Sequence, residues 1–274
     1  MDREELPELV QQVCASFTHA LDNTAEGLLE GLHLRGSLAW GEFFERSDID
    51  FTAVLSRRAG SHDLEALEAA HTQIWFEFPQ VDFDGHHVQL ANLQAPAEQC
   101  PAVPVVHAGS FQAAGGLDVN PVSWAELATR GIRITGRDPS ALGIHHDPDE
   151  LRSYTAGNLA SYWGRTAREL KVGWMVAGRR PEAVEWCTLG VARLHHLLAR
   201  GELTSKSGAG RYVLEELDER WHPLATEALR FRERPDEKPA RGSSVQRGKD
   251  LRDFMAWCVQ DGARLAHVIG DEDF

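Results

Sequence analysis

The chain has 274 residues, 42% hydrophobic and 26% charged. These are the proportions of a soluble globular protein, and the length suffices for one large or two ordinary domains. No apolar run approaches the ~20 residues of a bilayer-spanning helix, and a formal net charge of -14 opposes broad nucleic-acid binding while favouring a cationic small substrate. The start, Met1-Asp2-Arg3-Glu4-Glu5-Leu6-Pro7, lacks the basic stretch and apolar core of a secretory leader. Cys14, Cys100, Cys187 and Cys258 are too dispersed for a Cys-x-x-Cys pair, so the expectation is reduced thiols in a cytoplasmic protein.

Apolar residues Leu6, Leu9, Val10, Val13, Phe17, Leu21, Leu28 and Leu29 recur at helical spacing and predict a helix over 4–30, stopped by Gly31. A strand follows over 32–35 and a second over 49–55. Ser61 opens a helix over 62–78, with Leu64, Leu67, Ala70 and Ile74 on one stripe. His86 to Leu90 read as a third strand. The stretch Ala95 to Pro121, rich in Pro, Gly and Ala, predicts a long ordered loop or strand-loop segment near the site. A short helix at Trp124–Arg130 and a short strand at Ile132–Gly136 lead to a boundary marked by Asp138-Pro139 and Asp147-Pro148-Asp149. Beyond it the pattern is helical throughout, over 149–177, 181–200, 206–217, 219–233 and 243–268, which predicts a bundle. Arg234 to Ser244 is its most loop-like stretch, and Gly270 to Phe274 reads as a frayed tail.

The densest chemistry lies between the first two strands, in Arg35-Gly36-Ser37-Leu38-Ala39-Trp40-Gly41 and Ser47-Asp48-Ile49-Asp50. Alternate strand residues share a face, so Asp48 and Asp50 project together with backbones about 6.6 Å apart. Such a pair suits Mg²⁺, a hard cation that keeps oxygen ligands and binds substrate phosphates. The Gly36-Ser37 turn offers N–H groups and a hydroxyl to phosphate oxygens.

Gly-Ser, three residues, Gly, five residues and Ser-Asp-Ile-Asp resembles the nucleotidyltransferase superfamily signature, with the spacing of the streptomycin/spectinomycin-type aminoglycoside adenylyltransferases. In the second half, Glu185 to Lys206, a helix with Arg193 that stops at Gly201 before Thr204-Ser205-Lys206 opens the next, is similar to that family's helical domain. Trp124-Ala125-Glu126-Leu127 with Gly131 and Gly136 is similar to the family's link between domains. The resemblance implies an α+β fold: a nucleotidyltransferase-type mixed sheet with flanking helices over 1–146, then an all-helical bundle over 147–274. It implies ATP as co-substrate lying between the domains. It also implies Mg²⁺ on Asp48 and Asp50, Gly36, Ser37 and Ser47 at the phosphates, and Lys206 and Arg193 as further nucleotide contacts. Arg193 has an alternative as one half of a structural ion pair. Glu182, Glu185 and Trp186 are then the substrate contacts, although Ala183 and Val184 occupy the positions closest to the family's acidic ones. Trp163 and Trp174 are further candidates for stacking on a ring.

One position departs from the pattern. The family places a glutamate on the third strand to hold metal and take the proton of the attacking hydroxyl. Here His87-Val88-Gln89-Leu90 puts Gln89 there, and an amide neither carries charge nor accepts a proton near neutral pH. Asp82 or Asp84 can supply the carboxylate instead, or His86 or His87 the base. The function expected is transfer of a nucleoside monophosphate from ATP to a hydroxyl of a small molecule, with aminoglycosides among the candidates. The alternatives are a catalytically weak nucleotide-binding regulator and a toxin-like transferase acting on a macromolecule.

Overall fold

The computed structural model describes residues 6–238 and 243–268, and the chain divides into two compact units after Asp147. The predicted tail Gly270–Phe274 lies outside the described residues.

In the first unit α1 (Glu8–Thr24) leads into β1 (Leu29–Leu34), a single turn of helix α2 (Gly36–Ala39), β2 (Ile49–Leu55), α3 (Ser61–Glu77) and β3 (Phe83–Gln89). A short helix α4 (Leu90–Leu93), the strands β4 (Val103–His107) and β5 (Ser110–Gly115), α5 (Pro121–Arg130) and β6 (Ile132–Thr135) complete it. The six strands form one mixed sheet in the order β5-β4-β3-β2-β1-β6. β2 and β3 run parallel, and the other neighbouring pairs run antiparallel.

β2 is covered on both sides, which is why it reads as an almost unbroken apolar run. Ile49, Phe51, Ala53 and Leu55 join the core beneath α1 and α3, where Phe17, Leu21, Leu67 and Ile74 are fully buried. Val54, on the opposite face with Asp50 and Thr52, packs with Val88, Trp124 and Leu127. Asn120 caps α5 by accepting from Ser123 N–H, and this seats Trp124 against the sheet.

Two sequence expectations shift here. The first helix ends at Thr24 because Gly27 turns the chain at φ +70°, so Leu28 and Leu29 lead into the strand rather than closing the helix. The stretch expected to be a loop or strand-loop segment contains the β4–β5 hairpin, whose strands and turn the sequence pattern does not locate. Its turn is Ala108-Gly109, with both φ values positive, and Ala is not a residue that announces such a turn. β5 consists largely of exposed small or polar residues at the sheet edge, so alternation never marked it.

The second unit holds α6 (Pro148–Asn158), a π-helical turn at Leu159–Trp163, α7 (Gly164–Ala177), α8 (Pro181–Arg200), α9 (Lys206–Glu216), α10 (His222–Glu233) and α11 (Ser244–Val268). α11 packs on α7 and α8, and α8 also packs on α9 and α10. Trp163, Val184, Val191, Leu251 and Phe254 belong to its core. Among the described residues no helix is long and apolar enough to cross a membrane, and none of the four cysteines is joined in a disulfide.

Candidate functional site

Hydrogen-bond register gathers the polar residues at one end of the sheet. Arg35, directly after β1, donates its N–H to Asp50 O at 3.0 Å. Asp50 on β2 is the register partner of Asp84 on β3. β4 ends at His107, whose Nδ1 lies 3.0 Å from Asp84 Oδ2. Four adjacent chains thus contribute Arg35, Asp50, Asp84 and His107 in one row, with strands about 4.8 Å apart.

Around Asp50 the carboxylates outnumber the cations. The Arg35 guanidinium, only 4% exposed, lies 3.9 Å from Asp50 and 2.9 Å from Asp118. Burial pushes the Asp50 carboxyl up to about 7; Arg35 opposes this, and Asp48, Asp118 and Glu126 add to it. Asp48 itself is exposed. Asp118 sits in the left-handed region at φ +58°, a cost of about 1–3 kcal/mol that surrounding contacts must offset.

The Gly36-Ser37 turn is built against this acid. Gly36 adopts φ +62°, and a Cβ there would fall 1.8 Å from Asp50 Oδ2. Only glycine lets the turn approach the carboxylate so closely. The Gly36 N–H donates to Glu126 at 3.0 Å and the Trp40 indole to the same carboxylate at 2.7 Å. Glu126 therefore occupies the first N–H of the turn. The Ser37 hydroxyl is different: its oxygen is buried with no hydrogen-bond partner, and such groups cost about 1–3 kcal/mol unless something satisfies them.

The expected residues divide into those the register brings together and those it does not. Gly36, Ser37, Asp48 and Asp50 lie together. Ser47 accepts from Phe44 N–H at 3.0 Å, so its hydroxyl serves to close the loop ahead of Asp48. Gln89 is a correction: it pairs in register with Leu55, not Asp50, five residues or about 16 Å beyond Asp84 along the strand. His87 is a second correction. It points to the opposite face, where it is 1% exposed, packs on Phe51 and meets His71 Nε2 at 3.1 Å. His86 shares the face of Asp50 but is fully buried, bonded to Thr52 at 3.0 Å and packed on Trp124. Asp82 is exposed, whereas Asp84 is 6% exposed and held up by burial. Asp118 and His107 have no motif to mark them; Arg35 stands beside Gly36 and Glu126 within Trp124-Ala125-Glu126-Leu127, but the sequence reading gives neither a role.

In the helical unit Lys206 opens α9 behind its cap Ser205, which accepts from Gly208 N–H. Arg193 is half-buried in α8, and the ion pair expected as its alternative is not seen among the described residues. Glu185 pairs with Arg232 at 3.4 Å, so its charge is partly spoken for, while Glu182 is exposed. Trp186 is 40% exposed and lies 4.7 Å from the Trp163 ring, with Tyr162, 45% exposed, edge-on at 5.9 Å. Gly190 makes room for this cluster, since a Cβ there would strike the Trp163 ring at 2.5 Å. Trp174 is half-buried beneath Lys249 and Arg252.

The residues present fit Mg²⁺. The donor set is all carboxylate oxygen, it carries more negative charge than Arg35 balances, and burial leaves Asp50 short of compensation. Among the described residues no three His, Cys, Asp or Glu side chains converge as a closed metal cage. An open pair is the arrangement Mg²⁺ uses when substrate phosphates complete its shell.

A mixed sheet bearing this turn and acidic pair, followed by a helical bundle, is a nucleotidyltransferase-type fold. The chain is similar to spectinomycin adenyltransferase AAD(9) from Enterococcus faecialis, whose crystal structure contains ATP and spectinomycin. The match covers 89% of this chain and 98% of that one, with a TM-score of 0.64 and 13% sequence identity. No family model matches the sequence, and no curated protein does.

Proposed function

We propose that the protein is a nucleotidyltransferase that moves a nucleoside monophosphate from ATP to a hydroxyl of a small cationic molecule, with aminocyclitol and aminoglycoside antibiotics as the acceptors to try first. The observation that carries this reading is the Gly36–Asp50 contact. A left-handed glycine turn is pressed against a half-buried, under-compensated carboxylate, with an unsatisfied serine hydroxyl beside it.

The Ser37 hydroxyl donates to a phosphate oxygen of the nucleotide. Asp48 and Asp50 would hold Mg²⁺, which would supply positive charge to offset that of the triphosphate and of the pyrophosphate leaving group. Arg35 fixes the orientation of Asp50 and links it to Asp118. Positioning and charge stabilisation are the main demands of such a transfer. By the resemblance alone, Lys206 and Arg193 are candidates for the nucleotide's phosphates, and Glu182, Glu185 and Trp186 for the acceptor. The Tyr162–Trp163–Trp186 cluster supports an acceptor with a ring to cover, since it keeps aromatic surface exposed.

The test is pyrophosphate release from ATP and Mg²⁺ with a panel of aminocyclitols, spectinomycin and streptomycin included. Release with at least one acceptor, lost in Asp48→Asn, is expected. Tight ATP binding with no turnover on any acceptor would instead favour a nucleotide-binding regulator.

A further inference from the structure

We propose that His107, aligned by Asp84, takes the proton of the acceptor hydroxyl. This rests on the transfer reaction proposed above and gives it the base that Gln89, at the wrong end of β3, does not provide.

The geometry comes first. Asp84 and His107 continue the row that begins at Arg35 and Asp50, on the same sheet face. Two strand steps put the His107 Cα about 10 Å from that of Asp50, a span that accommodates a phosphoryl group beside Asp50 and a hydroxyl reaching the imidazole. Asp84 is 8% exposed at its side chain and His107 62% exposed, so the pair has a buried anchor and an accessible tip.

The tautomer follows from the partner. An ionised carboxylate only accepts, so the Nδ1 facing Asp84 carries the hydrogen and Nε2 keeps its lone pair. Neutral imidazole so held is the arrangement that general bases use.

The backbone shows that the arrangement is imposed. Ala108 adopts φ +46° and Gly109 φ +69°, and the turn directs the Ala108 N–H to both Asp84 oxygens, at 3.1 and 3.0 Å. An alanine in the left-handed region costs about 1–2 kcal/mol. Here that conformation closes β4 onto β5 directly beside His107, while Asp84 receives donors from two consecutive residues and is held in place.

In the step itself, the acceptor's O–H bond breaks and the proton passes to Nε2 of His107. The freed oxygen pair forms the bond to the α-phosphorus of ATP. The bond from that phosphorus to the bridging oxygen breaks, and pyrophosphate leaves with its electrons. The imidazolium then returns its proton to water. His107 is the catalytic residue, and Asp84 acts through it as a positioning residue.

The experiment measures kcat and KM for ATP and for the best acceptor in wild type, His107→Ala and Asp84→Asn, with and without added imidazole. In His107→Ala, kcat is expected to fall about 10²–10⁴-fold with KM for ATP nearly unchanged, and imidazole is expected to restore part of the loss. Asp84→Asn is expected to lower kcat less, without rescue. Because His107 is exposed, His107→Ala is expected to fold normally, which circular dichroism checks. If wild type turns over and His107→Ala retains kcat within about threefold, the role of His107 is overturned and the transferase reading stands. If wild type turns over no acceptor, both fall.

Discussion

The two units each bury arginine beside carboxylate, and they do it in opposite proportions. In the helical unit Glu227, 4% exposed, meets Arg230 at 2.9 Å and Arg247 at 3.2 Å, and Arg247 also donates to Gly178 O at 3.0 Å. One carboxylate there ties together α10, the start of α11 and the end of α7. In the sheet unit Arg35, the one buried arginine among that unit's described residues, faces Asp50, Asp118 and Glu126, Asp48 adds its charge at Asp50, and the Asp50 carboxyl is pushed up to about 7. A cluster with cations to spare holds helices together, whereas a cluster with carboxylates to spare is suited to receive a cation. Poorly compensated charge away from water is costly, and here it is kept beside a left-handed glycine turn, which is the contrast the proposed function rests on.

Two substitutions set the clusters against each other. Asp50→Asn is expected to lower turnover by about 10³-fold while leaving the melting temperature unchanged or raised, because it removes a charge that folding disfavours. A large fall in melting temperature would move Asp50 into the structural class. Glu227→Ala is expected to destabilise by about 3–5 kcal/mol through two stranded arginines, read from the denaturant midpoint. A variant with normal stability would show that the helical cluster holds nothing.

Acid sharpens the comparison next. Burial lowers His71 well below 6.5 and His87 to about 4, so the unfolded chain takes up protons before the folded sheet unit does. Stability from this pair is complete above pH 6.5 and is lost as pH falls through that value, by about 3 kcal/mol for His87 at pH 4. Asp50, with its pKa raised from 3.8 to about 7, works the other way over nearly the same window, and Asp84 shifts in the same direction as Asp50. The fall is therefore expected to be steeper in Asp50→Asn than in wild type, measured by denaturant titration at pH 7, 5.5 and 4. Identical profiles would contradict the assignment. The smallest effect is expected for Gln89→Ala: with Gln89 far along β3 from Asp50, kcat stays within about twofold, and a larger loss would reopen the strand register.

The residues legible in advance were those joined by short spacing. Gly36, Ser37, Asp48 and Asp50 are linked by one turn and one strand start, so short spacing and period-two alternation group them without knowledge of their neighbours. The helical second half was legible for a similar reason, since amphipathic periodicity is a local property. The β4–β5 hairpin escaped because its turn uses an alanine at positive φ and its outer strand has little to bury.

The sequence by itself determined the order of elements, the change from sheet to bundle and the acidic turn, because each follows from contacts between residues close in the chain. Only the tertiary structure decided which carboxylate stands beside Asp50, that Glu126 and Asp118 close around Arg35, and that His107 completes the row. Those choices depend on strand register and on residues up to 90 positions apart. In a parallel pair such as β2 and β3, register is set by the packing of both sheet faces, which no local pattern encodes.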